Sequence, residues 1–486
     1  MPSIGRVSAS LLRVDNPGRS LTLAFWLWKA LIFFVVVACP GPGYDTSTTL
    51  ISDQQAGLAP DSQAVSLPFT FKFARWDAIY FLHTAENGYI FEQEWAFSYP
   101  RVLGFFLSGK FSMVAPMADC LAPISGDHIT DRSSGIRRSG GQGGPVTAAL
   151  IGVALSHVAH YLSVLALYGL SANVFGHATA TQRLICFLSA ALHIICPAGA
   201  FLSAPYGESI FSFLNISGFY LYTSSLIAEH NGAIRFRDIL VLTAGVLFGL
   251  ATLVRSNGIL SGFLFAYDAA ILSWTALTQG IPYRTIRRLV VIILGGSIVA
   301  LGMIVPQIFA YRSYCMVETS ARPWCNWPLP SIYSWVQGHY WNVGFLRYWT
   351  ISNIPLFLLA APVLAILVKS SWWALQAPST LASGSGGHSS SPVSPGSMLF
   401  RLAVPQGLLA VMALTSYHVQ IINRISSGYP LWYWWLVSTA MDSLHDPRKS
   451  YRILSVTGQA MLAAPLVPGC AACVMDRLPK LAEAYW

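Results

Sequence analysis

Long apolar segments recur along this chain, and they decide what it can fold into. Hydrophobic residues make up 54% of the sequence and charged residues only 10%, whereas a soluble domain carries roughly a quarter charged residues. A segment of about 20 apolar residues is long enough for an α-helix to cross a bilayer. We therefore predict an all-α polytopic membrane protein. In such a protein the net charge of +9 marks cytosolic loops and contacts with anionic lipid, so nucleic acid is not expected as a partner.

The first apolar run, residues 21–38, follows Arg6, Arg13 and Arg19. It is too long for the apolar region of a signal peptide and it contains Lys29, so we interpret it as an uncleaved signal anchor with residues 1–20 in the cytosol. The same criterion gives a total of about eleven spans. The others are Val146–Leu170, Arg183–Leu202, Ser209–Ile227, Ile239–Val254, Ile259–Leu277, Leu289–Ala310, Ile354–Val368, Met398–Thr415, Tyr429–Met441 and Ile453–Cys473.

Basic loops fix the predicted orientation. The arginine and lysine clusters at 235–237, 284–288 and 448–452 all face the cytosol if the apolar piece Val102–Cys120, which contains Lys110, does not span. Within the polytopic domain, residues 21–475, this places two large loops in the lumen, residues 40–145 with a Gly/Ser-rich insert at 127–144, and residues 311–352. Residues 376–395 then form a low-complexity cytosolic loop, and residues 476–486 a short C-terminal tail.

The densest cluster of ionisable and aromatic side chains is Arg75–Tyr89, just beyond the first span. Asp77, beside Trp76, is suited to accept a proton from a sugar hydroxyl. Arg75 and His83 are suited to contact a phosphate. The alternative is a juxtamembrane amphipathic helix with its aromatic residues at the interface and its charges among the headgroups. The stretch alone leaves both open.

Three further polar openings interrupt the apolar runs. Ser203–Ser209 carries Glu208, which either sits in the first turn of a helix or faces a site. Val254–Gly258 carries Arg255, which either snorkels to lipid phosphate or holds a buried anion. A weaker signal is the opening His418–Pro430.

An aromatic lumenal loop follows Trp324 and interleaves rings with hydrogen-bonding side chains. Flat rings beside amides, imidazole and guanidinium suit a sugar, and the same rings could line an isoprenoid groove. An interfacial aromatic belt explains the Trp and Tyr content, but not its concentration in one loop. Cys315 and Cys325 flank the beginning of this loop, and their spacing permits either a disulfide or two free thiols.

No motif for binding a metal or a nucleotide stands out. Cys470 and Cys473 have a CxxC spacing without a partner pair, so we expect no metal site. The chain also lacks a DxD motif, which argues against a transferase that holds a nucleotide sugar through a divalent metal.

Taken in chain order, these motifs resemble the GPI mannosyltransferase 2 family, also called the PIG-V family. The stretches that carry the resemblance are Arg75–Tyr89, Ser203–Ser209, Val254–Gly258, Tyr333–Arg347 and His418–Pro430. The resemblance implies a GT-C type bundle in the endoplasmic reticulum membrane, with no cofactor and a metal-independent, inverting mechanism. The donor would be dolichyl-phosphate mannose, and the product a GPI precursor with a second, α-1,6-linked mannose.

The resemblance also implies roles for individual residues. Trp76 and Asp77 would be catalytic, with Asp77 as the base, and Arg255, Arg347 and His339 would stabilise the departing phosphate. The expected partners are the lipid donor, the mannosylated lipid acceptor and a small subunit in the ER membrane. The full set of expected substrate-binding residues is Arg75, His83, Glu208, Arg255, Asn257, Gln337, His339, Tyr340, Trp341, Asn342, Arg347, Gln420 and Arg424.

Departures from the family pattern occur at Ser98–Arg101 and in the inserts Asp127–Gly144 and Gln376–Pro395. Two rival functions remain at this point. One is another transferase that uses a dolichyl-phosphate sugar. The other is a lipid flippase or transporter, which should show repeated halves with matching broken helices, and none is visible in the sequence.

Overall fold

A computed structural model describes residues 16–39, 69–97, 145–280, 282–316, 322–384 and 395–445. Every regular element in these ranges is helical, which confirms the all-α prediction. Short 3-10 turns connect several of the α-helices. The α-helices are α1 Pro17–Ala38, α2 Ala78–Asn87, α3 Pro145–Phe175, α4 Ala180–Ile194, α5 Glu208–His230, α6 Ile234–Val254, α7 Phe263–Gln279, α8 Tyr283–Cys315, α9 Ile332–Tyr340, α10 Ile354–Gly384, α11 Pro395–Thr415, α12 Ile422–Ile425 and α13 Leu431–His445.

Eight helices among the described residues are long and apolar enough to cross a membrane. They are Pro17–Ala38, Val146–Phe175, Glu208–His230, Ile234–Val254, Ser256–Gln279, Tyr283–Cys315, Ile351–Gln376 and Pro395–Thr415. The predicted spans Arg183–Leu202 and Tyr429–Met441 correspond to α4 and α13, which have 15 residues each, fewer than the about 20 that a perpendicular span needs. The predicted span Ile453–Cys473 and the piece Val102–Cys120 lie outside the described residues. The count of about eleven is therefore not confirmed.

Several helices are longer than the apolar runs that predicted them. α8 begins at Tyr283 and continues to Cys315, so the lumenal loop expected from residue 311 starts later. α10 continues to Gly384, which shortens the loop expected at 376–395. α1 begins at Pro17 behind an Asn16 cap, inside the expected cytosolic segment. Hydropathy measures how much of a helix sits in lipid, whereas hydrogen bonding and capping decide where the helix ends.

The bundle is built around α5 and α6, its most extensively packed pair of helices. α3 packs on α5, α8 packs on α6, and α10 pairs with α11. α6 and α8 approach so closely that a Cβ on Gly245 would lie 2.8 Å from the carbonyl oxygen of Gly295. Small residues at such crossings let two backbones touch, which is how membrane helices gain packing energy.

Charged side chains collect at opposite ends of the α5–α6 pair. At one end, Arg237 and Arg288 pair with Glu229, and Arg237 and Arg287 pair with Asp238. At the other end, Glu208 opens α5 and Arg255 follows α6. Because each helix runs the length of a membrane span, the two clusters face opposite sides of the membrane.

A small second core covers the end of the bundle where Glu208 lies. Trp324, Ile332 and Val336 are fully buried there against Ala310 of α8. A disulfide joins Cys315 to Cys325, with a Cα–Cα distance of 5.5 Å. It closes the connection between α8 and the 3-10 turn Pro323–Asn326. The aromatic loop is thus tied to the bundle covalently and by packing.

Candidate active site

Asp77 directly precedes α2, in the position of a helix N-cap. An aspartate in that position usually accepts a hydrogen bond from a backbone N–H of the first turn, but the Asp77 carboxylate makes no such bond. Its Oδ2 instead accepts from Arg424 Nη2 at 2.9 Å. The Asp77 side chain remains 27% exposed. The carboxylate is therefore committed to an ion pair in a partly open position rather than to holding its own helix.

Trp76, immediately before Asp77, has a left-handed backbone with φ of 48°. A bulky residue in this conformation costs about 1–3 kcal/mol, and such strain is typical of functional sites. Its ring stacks on Phe201 with centroids 6.3 Å apart, and Tyr206 donates a hydrogen bond to the carbonyl of Arg75 at 2.5 Å. These contacts hold the sharp turn that aims Asp77 away from α2.

Arg424 joins two carboxylates that come from distant parts of the chain. In addition to Asp77, it donates from Nε to Glu208 Oε1 at 2.7 Å, and its Nη2 lies 2.5 Å from the same oxygen. Burial alone lowers the pKa of Arg424, but the carboxylates of Glu208 and Asp77 outweigh that effect and raise it above the ordinary value. The guanidinium is therefore charged throughout the physiological range.

Arg255 reaches the same glutamate from the end of α6. Its Nη2 donates to Glu208 Oε1 at 2.5 Å, and its guanidinium lies 5.5 Å from the Phe81 ring centroid. Gly207 packs closely against this end of α6, since a Cβ there would lie 3.1 Å from Val254 Cγ1 and 3.6 Å from Arg255 Nε. Arg255 is thus buried against Glu208, with its side chain 8% exposed.

Aromatic faces and a neutral histidine surround the four charges. Arg424 lies 4.4 Å from the Phe201 ring centroid and 5.1 Å from that of Tyr206, distances at which a cation is attracted to a ring. Burial lowers the pKa of His418, and Arg424 lowers it further against the opposing effect of Asp77. His418 is consequently neutral at physiological pH and can both donate and accept a hydrogen bond.

The cluster balances two acidic and two basic side chains but leaves two buried atoms without hydrogen-bond partners in the described chain. Glu208 is completely buried, and three N–H groups converge on its Oε1 while its Oε2 has no partner. Arg255 Nε is likewise buried without a partner. Buried polar atoms normally find a partner. Beside the charges, Glu208 Oε2 can therefore accept a hydrogen bond and Arg255 Nε can donate one, which suits a polar ligand that carries both hydroxyl and acceptor groups.

Three other predicted residues border this cluster. Asn257 is buried and exchanges hydrogen bonds with Tyr429, giving one to the hydroxyl at 3.3 Å and receiving one at its carbonyl at 2.9 Å. Gln420 accepts from the Tyr348 hydroxyl at 3.2 Å. The Trp341 ring packs against His418, with centroids 6.5 Å apart. These side chains hold the loops around the cluster together.

His83 and Tyr340 interact with two other acidic residues, Glu94 and Glu92. His83 pairs with Glu94, whose other oxygen accepts from the backbone N–H groups of Ile90 and Phe91 at 2.8 Å. Tyr340 donates to Glu92 at 3.0 Å, and Arg322 pairs with the same carboxylate at 3.1 Å. Tyr340 therefore joins the segment after α1 to the aromatic loop, whereas His83 pairs within its own segment.

Of the remaining predicted residues, Arg75 is half-buried two positions before Asp77, and the others lie in the aromatic loop. His339 is exposed and stacks on Trp335 with centroids 4.3 Å apart. Asn342 and Arg347 are exposed, and Asn342 has a φ of 48°. The Gln337 carbonyl accepts from the Val343 N–H at 2.8 Å, closing the turn that carries Asn342.

Sequence reasoning missed four side chains that shape the site. Tyr206 and His418 lie in polar openings identified from the sequence, close to Glu208 and Gln420 respectively, and this proximity could have indicated them. Phe201 lies two residues before the Ser203–Ser209 opening and had the same signal. Glu92 had no such signal, since its partners lie in another loop. Among the described residues, no three His, Cys, Asp or Glu side chains come together as a set of metal ligands.

Known proteins resemble this chain along almost its whole length. The profile of the family described as Mannosyltransferase (PIG-V) matches residues 20–123 and 144–457. The GPI mannosyltransferase 2 of Aspergillus oryzae is 49% identical over 467 residues, covering 94% of this chain and 95% of the relative. That of Aspergillus fumigatus is 46% identical over 468 residues, covering 95% and 94%.

Among solved structures, the oligosaccharyltransferase of Archaeoglobus fulgidus aligns with 68% of this chain and 42% of its own, at 16% identity and a TM-score of 0.34. The profile match and the near-complete alignment with the fungal relatives establish the family independently of that structure. This chain belongs to the PIG-V family of mannosyltransferases.

Proposed function

We propose that this protein transfers mannose from dolichyl-phosphate mannose to a GPI precursor that carries one mannose, forming an α-1,6 linkage on the lumenal face of the ER membrane. The observation that carries the proposal is the identity of up to 49% with full-length relatives named GPI mannosyltransferase 2. The opposed charge clusters of α5 and α6 support it. They leave the Asp77 cluster on the face away from the arginine-rich ends, which are cytosolic by the positive-inside rule.

In this proposal Asp77 is the general base. Its carboxylate takes the proton from the 6-hydroxyl of the first mannose, and the resulting oxygen attacks the anomeric carbon of the donor mannose. The bond from that carbon to the phosphate oxygen breaks, and dolichyl phosphate leaves with the bonding pair. The freedom of Asp77 from helix capping and its partial exposure support this role, because a general base must be within hydrogen-bond reach of its proton.

Arg255 and Arg424 are the proposed electrostatic partners of the departing phosphate. The leaving group changes from a phosphodiester to a monoester, so negative charge accumulates on it during the reaction. Fixed positive charges aimed at such a position stabilise the transition state without reorganisation. Glu208 keeps both guanidinium groups in place through Oε1. The donor thereby needs no divalent metal for charge compensation.

Arg347 and His339 have a second place in the proposal. Both are exposed on the aromatic loop, and among the described residues Arg347 forms no ion pair. They are therefore available to a lipid-linked substrate that approaches along the loop. The half-buried Trp76 ring, which stacks on Phe201, suits the apolar face of a sugar ring. A small ER membrane subunit remains the proposed protein partner.

Lipid analysis of cells that lack this protein tests the proposal. The GPI precursor with one mannose should accumulate, and wild-type protein should restore the later precursors. Accumulation of a different GPI or N-glycan precursor would assign the chain to another dolichyl-phosphate-sugar reaction. Unchanged precursors, together with impaired lipid movement between leaflets, would favour the flippase alternative.

A further inference from the structure

A lysine lies in the buried stripe of the first membrane helix. α1 contacts the bundle through side chains spaced three to four residues apart, and Phe25, Lys29 and Ile32 belong to this stripe. The neighbouring Trp26 and Leu27 face outward and are 57% and 62% exposed, whereas Lys29 is only 4% exposed. A lysine at membrane depth is costly to insert, and such residues are typically paired or functional.

Lys29 holds a backbone turn. Its Nζ donates to the Leu202 carbonyl at 2.9 Å and to Ser203 Oγ at 2.7 Å, and it lies 5.2 Å from the Phe25 ring centroid. Within the described ranges it pairs with no carboxylate. Hydrogen bonds in an apolar setting are electrostatically stronger than those in water.

The turn that Lys29 holds carries side chains of the candidate active site. Leu202 is the last residue of the 3-10 turn Gly199–Leu202, which includes Phe201, the ring beneath Arg424. Glu208, which binds both arginines, opens α5 shortly after Ser203. A shift of the Leu202–Ser203 backbone would therefore move both contacts of Arg424 on this side of the cluster.

A second hydrogen bond supports the same turn from α3. Ser156 Oγ donates to the Ala204 carbonyl at 2.7 Å, and both residues are buried. Loss of the Lys29 contacts should consequently displace the turn without unfolding it. The lysine then affects the geometry of the site more than the stability of the bundle.

We propose that Lys29 is a positioning residue for mannosyl transfer: its two Nζ hydrogen bonds fix the Leu202–Ser203 turn and so keep Phe201 and Glu208 against Arg424. This inference rests on the proposed function. An apolar side chain in this stripe would be easier to insert and to pack. Compared with an apolar side chain, Lys29 contributes two hydrogen bonds. Both bonds hold the Leu202–Ser203 turn and neither is made within α1.

The test uses the full-length protein in lipid nanodiscs, with dolichyl-phosphate mannose and the one-mannose GPI precursor as substrates. Lys29→Met should lower kcat per folded molecule by roughly tenfold to a hundredfold, since a displacement of about 1 Å near the chemistry has an effect of that order. Lys29→Arg, which keeps a charged donor, should recover part of the loss. The matched control is Lys369→Met, which removes an exposed lysine from α10 and should leave kcat within about twofold of the wild-type value.

Coupling with Ser203 separates positioning from general stability. Ser203→Ala removes one of the two acceptors and should lower kcat in the wild-type background, but it should cause little further loss in Lys29→Met, because the two changes remove the same hydrogen bond. A Lys29→Met protein with lower abundance but normal kcat per folded molecule would overturn the positioning role. A wild-type protein unable to use the one-mannose precursor would overturn the proposed function instead.

Discussion

Arg424 donates to the carboxylate of Asp77 at 2.9 Å across a sequence separation of 347 residues. This contact brings the N-terminal end of α2 to α12, although the two elements lie far apart in the sequence. It also places a permanent cation beside the proposed base, and the same cation is shared with Glu208. The chemistry proposed for the site depends on this shared guanidinium.

Asp77→Asn should abolish mannose transfer while the protein is still inserted and folded. The amide keeps the shape of the side chain but cannot accept the hydroxyl proton, and loss of a general base typically lowers the rate by about 10²–10⁴-fold. The measurement is transfer to the one-mannose precursor per folded molecule, with surface GPI proteins in deficient cells as a second readout. Rescue equal to wild type would show that Asp77 is not the base.

Arg255→Lys should weaken transfer by roughly tenfold to a hundredfold at limiting donor. Lysine keeps the charge but lacks the planar guanidinium, including the Nη2 that donates to Glu208 and the Nε that has no partner in the described chain. A hydrogen bond to a charged group is worth about 1.5–3 kcal/mol. Arg288→Lys, at the opposite end of the bundle, is the matched control. Near-wild-type kinetics at limiting donor in Arg255→Lys would give this arginine a structural role only.

Glu208→Gln should lower both stability and activity. The substitution leaves two buried guanidinium groups with only Asp77 to balance them, and breaking a buried ion pair from one side costs about 3–5 kcal/mol. Thermal inactivation in detergent measures the loss. Glu229→Gln, whose side chain is 30% exposed in the other cluster, should change stability by about 1 kcal/mol or less. Equal stability losses in the two variants would contradict the buried role of Glu208.

Cys325→Ser should loosen the aromatic loop. Opening the bridge to Cys315 removes a constraint on the unfolded chain worth about 2–3 kcal/mol for a loop of this size. We expect faster proteolysis between α8 and α9 and a moderate loss of transfer. Thiol labelling under non-reducing conditions provides the direct check: neither cysteine should react in the wild-type protein, and free reaction of both would exclude the bridge.

A glycosylation tag inserted near Gly135 should be modified, and a tag inserted near Arg287 should not. In the proposed orientation, the arginines around Glu229 and Asp238 are cytosolic by the positive-inside rule, and the Asp77 cluster at the other end of α5 and α6 faces the lumen. Modification near Arg287 would show that the protein has the opposite orientation, with Asp77 on the cytosolic side. The proposed donor geometry would then be lost, and the flippase alternative would gain support.

The sequence predicts the membrane class and most spans because apolar length is a local property. It cannot predict that Arg424 meets Asp77, since the contact depends on how the helices pack. His83 and Tyr340 show that the sequence also does not reveal which partners a polar side chain has. Both are expected from the sequence to bind substrate, but the fold pairs them with Glu94 and Glu92, and no sequence pattern around either residue indicates this pairing.

Lys29 shows a different limit of the sequence. In a run of apolar residues, a single lysine suggests a side chain that reaches toward the headgroups. Only the packing of α1 reveals that it belongs to the buried stripe and faces the Leu202 carbonyl. Hydropathy records what a helix contains, but the direction of each side chain depends on the helix that lies next to it.

The order of the four charges along the chain also sets the order in which the site is assembled. Asp77, Glu208 and Arg255 are all synthesised before Arg424. Until Arg424 has been added, only Arg255 is present to pair with Glu208, and the arginine that pairs with Asp77 is missing. A nascent chain that stops before residue 424 therefore retains an uncompensated carboxylate at the membrane surface. Synthesis of the last helices completes the charge balance, so that balance distinguishes a finished enzyme from an interrupted one.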